Sequence, residues 1–165
     1  PMNVKNFRID DRLIHGQIVT QWIADYAAKK IIAADDKAAA DPTQQMLLKL
    51  TVPGGITLDI LSIKDAAALL ASDEGDQNVL LIVRNPKAAY ELVDLGFTPK
   101  SINVGNISNS RSEVGRTRLL AFIYVEPDDV TYLRKLMERG IELEIRAVPA
   151  DRPIDVDELL RKNSL

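Results

Sequence analysis

The feature that most constrains the fold is a regular alternation of short apolar runs with segments that carry helix signals. The run Val79–Val83 is apolar at every position, which is typical of a central strand covered on both faces. Shorter runs begin at Val4, Ile31 and Ile56, and each is followed by residues that favour a helix. This alternation predicts a mostly parallel sheet with helices on both of its faces.

The segments between the apolar runs carry helix signals that support the same interpretation. The first helix has an apolar stripe at helical spacing, formed by Ile18, Val19, Trp22, Ile23, Tyr26 and Ala27. Asp41, Ser62 and Asn85 have the side chains that cap helix N-termini, and Pro42 and Pro86 follow two of them. No linker or repeat interrupts the 165 residues. We therefore expect one α/β domain over residues 1–165, with a sheet of about six or seven strands.

The later part of the chain departs once from this pattern. Residues 105–118 lack apolar periodicity and carry three arginines against one glutamate, which predicts a mobile surface excursion. The run Leu119–Val125 predicts a further buried strand, and a helix should follow from Pro127 to Gly140. Residues 141–148 alternate between apolar and polar, as in a strand nearer the edge. A last helix is expected around Val156–Arg161.

Composition excludes several classes of function. The chain has no cysteine and a single histidine, so disulfides, thiolate chemistry and a zinc site are not expected, and no cofactor is implied. A net charge of −3 argues against nucleic-acid binding. No apolar run approaches the ~18 residues of a membrane span, and the first residues do not resemble a signal peptide. We expect a soluble intracellular protein that does not insert into a membrane.

The single histidine lies in the motif RIDDRLIHGQ, residues 8–17. His15 stands between the first strand and the first helix, at the edge where sheets of this class bind ligands. It is three residues before Ile18 and seven before Trp22, so it extends the inward-facing stripe. From these residues alone, one interpretation is a half-buried histidine that only hydrogen-bonds a loop carbonyl. The other is a nucleophile, because a neutral imidazole can accept and release a phosphoryl group near neutral pH.

The neighbours of His15 favour anion chemistry. Arg12 offers planar donors that suit phosphate oxygens, and Gly16 lets the backbone approach an anion closely. Asp10 or Asp11 could hold the far ring nitrogen of His15, or could instead brace an arginine as an ion pair. Both possibilities stay open at this point. No phosphate-binding glycine loop and no hydrolase elbow is present.

The motif RIDDRLIHGQ closely resembles the phosphorylation-site motif of the IIB components of the mannose family of bacterial sugar phosphotransferase systems. The resemblance covers essentially the whole chain. Further matching segments are ADD at residues 34–36, NP at 85–86, SINVGN at 101–106 and RGIELEIRAVPAD at 139–151. The segment NVGNIS, residues 103–108, is closer to the branch that handles amino sugars such as N-acetylgalactosamine.

This resemblance implies a phosphotransferase subunit. His15 would accept a phosphoryl group from a phosphohistidine of a IIA component and pass it to a sugar held by the IIC and IID membrane components. Such a protein would work in the cytoplasm, peripheral to the inner face of the plasma membrane.

The resemblance also assigns expected roles to site residues. Arg12 would be the main electrostatic partner of the transferring group. Asp10, Asp11, Gly16 and Gln17 belong to the same motif, Asn106 corresponds to a segment that lines the site, and Arg84 faces the same edge. The alternative from another functional class is a non-catalytic flavodoxin-like module that binds a phosphorylated ligand.

Overall fold

The structure, a computed structural model, describes residues 2–72, 75–108 and 110–165. A seven-stranded sheet forms the centre in the order β3-β2-β4-β1-β5-β8-β9, and all neighbouring strands are parallel except β8 and β9. A separate antiparallel hairpin is formed by β6 and β7. The strands are β1 (Asn3–Asp10), β2 (Lys30–Ala34), β3 (Thr57–Leu61), β4 (Asn78–Val83), β5 (Ser101–Asn106), β6 (Thr117–Leu120), β7 (Ile123–Val125), β8 (Glu142–Ile145) and β9 (Ile154–Asp155).

The helices begin where the capping residues predict. Asp41, Ser62 and Asn85 each accept hydrogen bonds from backbone N–H groups of the first turn that follows. The helices are α1 (Gly16–Tyr26), α2 (Asp36–Ala39), α3 (Pro42–Leu50), α4 (Ile63–Ala71), α5 (Pro86–Asp94), α6 (Pro127–Glu138) and α7 (Val156–Lys162). In the described parts of the chain, no helix is long and apolar enough to cross a membrane.

The core has two layers, one on each face of the sheet. Alternate residues of β4 enter different layers: Leu80 and Ile82 pack with α1 and α3, whereas Val79, Leu81 and Val83 pack with the helices of the other face. Both sides of this strand are therefore covered, which explains why it is apolar throughout. The predicted α/β class and the mostly parallel seven-stranded sheet are confirmed.

The region after β5 corrects two expectations. Residues 119–125 do not form one strand, because they divide at a turn between β6 and β7 and pair with each other outside the main sheet. The hairpin is joined to the segment that follows β5, where the amide of Ile107 donates to the carbonyl of Phe122 at 2.9 Å. Ile123 and Val125 still bury their side chains in the core, so their apolar character does not reveal which strand they pair with.

The boundaries of the supposed excursion also differ. Gly105 and Asn106 complete β5, and Thr117 and Arg118 already belong to β6. Within the same stretch Asn109 lies outside the described residues, as do Asp73 and Glu74 in the segment expected to close the α4 unit. The short elements α2 and β9 were not predicted, because four and two residues carry too little periodicity to signal them.

Candidate functional site

The motif of residues 8–17 spans the end of β1, a short loop and the start of α1. β1 ends at Asp10 and α1 begins at Gly16, so the loop places Arg12 and His15 at the carboxyl edge of the sheet. Leu13 adopts a left-handed backbone with φ of 59°, which costs roughly 1–2 kcal/mol in a residue with a Cβ. Its side chain is only 1% exposed. The burial of Leu13 holds the strained turn that presents its neighbours.

His15 is the N-cap of α1. Its carbonyl accepts the amides of Ile18 and Val19 at 3.0 and 2.8 Å, but its imidazole does not cap the helix. The amides of Gly16 and Gln17 have no acceptor among the described residues. Unpaired amides at a helix N-terminus form a favourable site for an anion.

The imidazole is half-buried over a small cavity of about 10 Å³, whose lining includes Arg8, Asp10 and Trp22. Nδ1 is buried, and no residue within the described ranges hydrogen-bonds it. The ring is therefore not oriented by Asp10 in this structure.

Asp10 pairs with the arginines on either side of it. The buried carboxylate accepts Nη2 of Arg8 at 3.3 Å on one oxygen. The other oxygen accepts the backbone amide and Nε of Arg12 at 3.0 and 3.3 Å. The Arg12 side chain is 40% exposed, and its two Nη groups donate to none of the residues that the structure describes. Those groups are available to an anion beside His15.

Asp11 connects the loop to the segment after β5. Its carboxylate accepts the amide of Ser108 at 2.6 Å, and its own amide donates to the carbonyl of Asn106 at 3.0 Å. The Asn106 side chain is buried and accepts the Ser108 hydroxyl. Asp11 and Asn106 thus hold the wall of the site beside the loop.

Arg84 lies at the same edge but is engaged by protein groups. Its Nε and Nη2 donate to both carboxylate oxygens of Asp35, each at 3.2 Å, and Nη1 donates to the carbonyl of Asp11 at 3.0 Å. Such a bidentate pair fixes the guanidinium. In this structure Arg84 braces the loop from behind, whereas the Nη groups of Arg12 donate to none of the described residues.

Gly16 and Gln17 occupy the first turn of α1. A Cβ on Gly16 would lie 3.4 Å from the carbonyl oxygen of Thr51, so the end of α3 packs closely against this turn. Gln17 is exposed. Of the arginines in the 105–118 stretch, Arg116 pairs with Glu126 at the start of α6.

Sequence reasoning did not select Arg8 as a site residue. Arg8 is 4% exposed and follows the alternation of β1, in which Asn6, Arg8 and Asp10 share the face towards α1. A charged residue between the core residues Phe7 and Ile9 was the available signal, because a buried charge needs a partner.

Comparisons with known proteins agree with this geometry. The family model described as "PTS system sorbose subfamily IIB component" matches residues 4–165. The fructose-specific EIIB component of Bacillus subtilis is 32% identical over 161 residues, which cover 97% of each chain. The crystal structure of the IIBSor domain of the sorbose permease from Klebsiella pneumoniae superposes with a TM-score of 0.90 at 27% identity, covering 98% of both chains.

The mannose-specific EIIAB component of Escherichia coli K12 is 33% identical over 156 residues, which are 94% of this chain and 47% of that protein. The chain therefore spans about half the length of that relative. The family model and the fold together define a IIB-type component of a sugar phosphotransferase system. The chain belongs to the sorbose subfamily of PTS IIB components.

Proposed function

We propose that this protein is a phosphocarrier that accepts a phosphoryl group on His15 and passes it to a sugar during uptake. The observation that carries the proposal is the arrangement around the loop. The only histidine of the sequence stands at a helix N-terminus, next to an arginine whose Nη groups donate to no residue that the structure describes. Membership of the IIB family supports it.

The proposed transfer needs positioning and charge stabilisation rather than new covalent machinery. A neutral ring nitrogen of His15 attacks the phosphorus of a donor phosphohistidine, a new P–N bond forms, and the donor P–N bond breaks. The N–H proton that the His15 ring loses balances the proton that the departing donor imidazole takes up, so that it leaves neutral. In the second step a sugar hydroxyl attacks the same phosphorus, an O–P bond forms and the P–N bond to His15 breaks, and the proton lost by the hydroxyl balances the proton taken up by the released His15 ring.

Arg12 and the first turn of α1 supply the electrostatic part. The free Nη groups of Arg12 can donate to the equatorial phosphoryl oxygens, and the amides of Gly16 and Gln17 offer two further donors. Asp10 contributes by holding Arg12, and Asp11, Asn106 and Arg84 contribute by holding the loop.

The proposed partners follow from the family. The donor is a IIA component carrying phosphohistidine, and the acceptor is a sugar bound by IIC and IID membrane components. The protein would then act in the cytoplasm, held at the inner face of the plasma membrane by its permease. We propose an amino sugar such as N-acetylgalactosamine as the sugar, on the resemblance of residues 103–108. Uptake measured with the cognate permease and competing sugars would test this choice.

The experiment is phosphorylation of the purified chain by phosphoenolpyruvate, the general phosphotransfer proteins and the cognate IIA component. Intact mass should show one phosphoryl group that is stable in base and lost in acid. His15→Ala should abolish the label while the fluorescence of Trp22 stays that of the folded protein. Label that survives the substitution would refute the role of His15. Phosphate that occupies the pocket without a covalent bond would favour a binding module.

A further inference from the structure

Arg8 is a buried arginine whose guanidinium contacts several parts of the fold. Its Nη1 donates to Oδ1 of Asn103 at 2.7 Å and to the carbonyl of Arg146 at 3.0 Å, and its Nη2 donates to Asp10. The guanidinium carbon lies 5.4 Å from the ring centroid of Trp22, within the range of a cation–π contact. Arg8 is therefore fixed from three elements, β5, the segment after β8, and α1.

From these contacts we infer that Arg8 is a positioning residue for phosphoryl transfer, which sets the placement of Arg12 through the shared carboxylate of Asp10. This inference rests on the proposed carrier function and names a residue that this function does not require by itself. Arg8 and His15 line the same small cavity, but the hydrogen bonds of Arg8 to described residues go to Asn103, Arg146 and Asp10.

Burial makes the Arg8–Asp10 pair rigid. The side chains of Arg8 and Asp10 are 5% and 2% exposed, and a buried ion left without its partner is strongly unfavourable. Burial lowers the pKa of the Arg8 guanidinium, and the charge of Asp10 opposes that effect. If Arg8 lost Asp10, its positive charge would be left in the core without a carboxylate partner.

The rigid carboxylate then orients the exposed arginine. One Asp10 oxygen faces Arg8, so the other is left to receive both the amide and Nε of Arg12. With Nε engaged, the planar guanidinium of Arg12 has one preferred direction, in which its two Nη groups remain free. Arg8 thus reduces the freedom of a long side chain that would otherwise be disordered at the surface.

Gly105 supplies the space for this arrangement. A Cβ at that position would lie 2.0 Å from Cζ of Arg8 and 2.2 Å from its Nη2. The guanidinium cannot move aside without losing Asn103 or Asp10. Glycine at 105 is therefore a requirement of the Arg8 site rather than of the backbone of β5, because Gly105 has no positive φ.

The test is a cycle of Arg8→Lys and Arg12→Ala, measured as phosphoryl transfer from the phosphorylated IIA component to His15. Lysine keeps the charge but cannot contact three acceptors in one plane. With Arg12 present, we expect Arg8→Lys to lower kcat about tenfold and to leave KM for the donor unchanged. In the Arg12→Ala background the same substitution should change kcat by less than about twofold, because the group it orients is gone.

Unfolding by urea separates this role from a structural one. Arg8→Lys should lower the free energy of unfolding in both Arg12 backgrounds, whereas kcat should fall only in the background that retains Arg12. Arg134→Lys is the matched control, since Arg134 pairs with Asp157, between α6 and α7, instead of with Asp10. It should leave kcat unchanged.

An equal loss of kcat with and without Arg12 would overturn the inference. If Arg8→Lys does not fold, Gly105→Ala and Asn103→Ala replace it in the cycle. Each must then lower kcat when Arg12 is present and leave kcat nearly unchanged in the Arg12→Ala background. If His15 of the wild-type protein is not labelled at all, the carrier function itself is refuted. If His15 is labelled but the effects of the two substitutions on kcat are additive, only the role of Arg8 is refuted.

Discussion

Replacing Asp10 with asparagine tests how much of the site depends on one buried charge. Asp10→Asn keeps the shape of the side chain but removes the charge that compensates Arg8. The Asp10 side chain is 2% exposed and accepts hydrogen bonds from three donors, Arg8 Nη2 and the amide and Nε of Arg12.

The expected cost is large. Removing one member of a buried ion pair lowers the free energy of unfolding by about 3–5 kcal/mol. Because the amide oxygen of asparagine can still accept one of the hydrogen bonds, we expect a loss of about 3 kcal/mol for Asp10→Asn. With a urea dependence of about 2 kcal/mol per M, the unfolding midpoint should fall by roughly 1.5 M.

Trp22 is a suitable probe, because it is the only tryptophan, is 1% exposed and contacts Arg8. Asp59→Asn is the matched control, since Asp59 pairs with Lys30 but is 34% exposed. An exposed pair contributes only about 0.2–1 kcal/mol. If Asp10→Asn lowers the free energy of unfolding no more than Asp59→Asn does, Asp10 does not compensate a buried cation.

Three further expectations concern other parts of the molecule. Arg12→Ala should slow phosphoryl transfer to His15 at least about tenfold with little change in the urea midpoint; unchanged transfer would remove Arg12 from the chemistry. Arg84→Met should lower the free energy of unfolding by about 1–3 kcal/mol through loss of its bonds to Asp35 and the Asp11 carbonyl, and an unchanged midpoint would contradict the bracing role. Burial raises the pKa of Asp129 in α6, so this group stabilises the fold most when protonated and loses that contribution as pH rises through its folded pKa. Asp129→Asn should therefore become more stable relative to wild type as pH rises from about 4, the ordinary pKa of an aspartate, through the folded pKa of Asp129. A relative loss of stability over that rise in pH would contradict the raised pKa.

The order of strands and helices was predictable because the signals for it are local. Periodicity and capping residues act within one element, so the strand Val79–Val83 and the helix that follows Asn85 could be placed from the sequence. Residues 119–125 show the limit of this reasoning. Their apolar character requires burial, but it does not specify whether they pair with the central sheet or with each other.

Some features of the site could likewise be predicted from the sequence, whereas others depend on contacts between distant residues. His15 and Arg12 are close in sequence, so the motif alone marks them as a nucleophile and a cation at a helix N-terminus. The roles of Asp10 and Asp11 depend on partners contributed by distant strands. Ser108 reaches Asp11 across 97 positions of the chain, and no local pattern encodes such a contact.

What the sequence by itself determined is therefore the α/β class, the succession of elements and the loop that carries His15, since each depends on residues near one another in the chain. The tertiary structure alone decided that a buried arginine underlies the site. Arg8 and Asn103 are 95 positions apart, and they meet because β1 and β5 are neighbours in the sheet although other strands separate them in the chain. That pairing also brings Gly105 against the guanidinium, so the room for Arg8 is made by a residue of another strand.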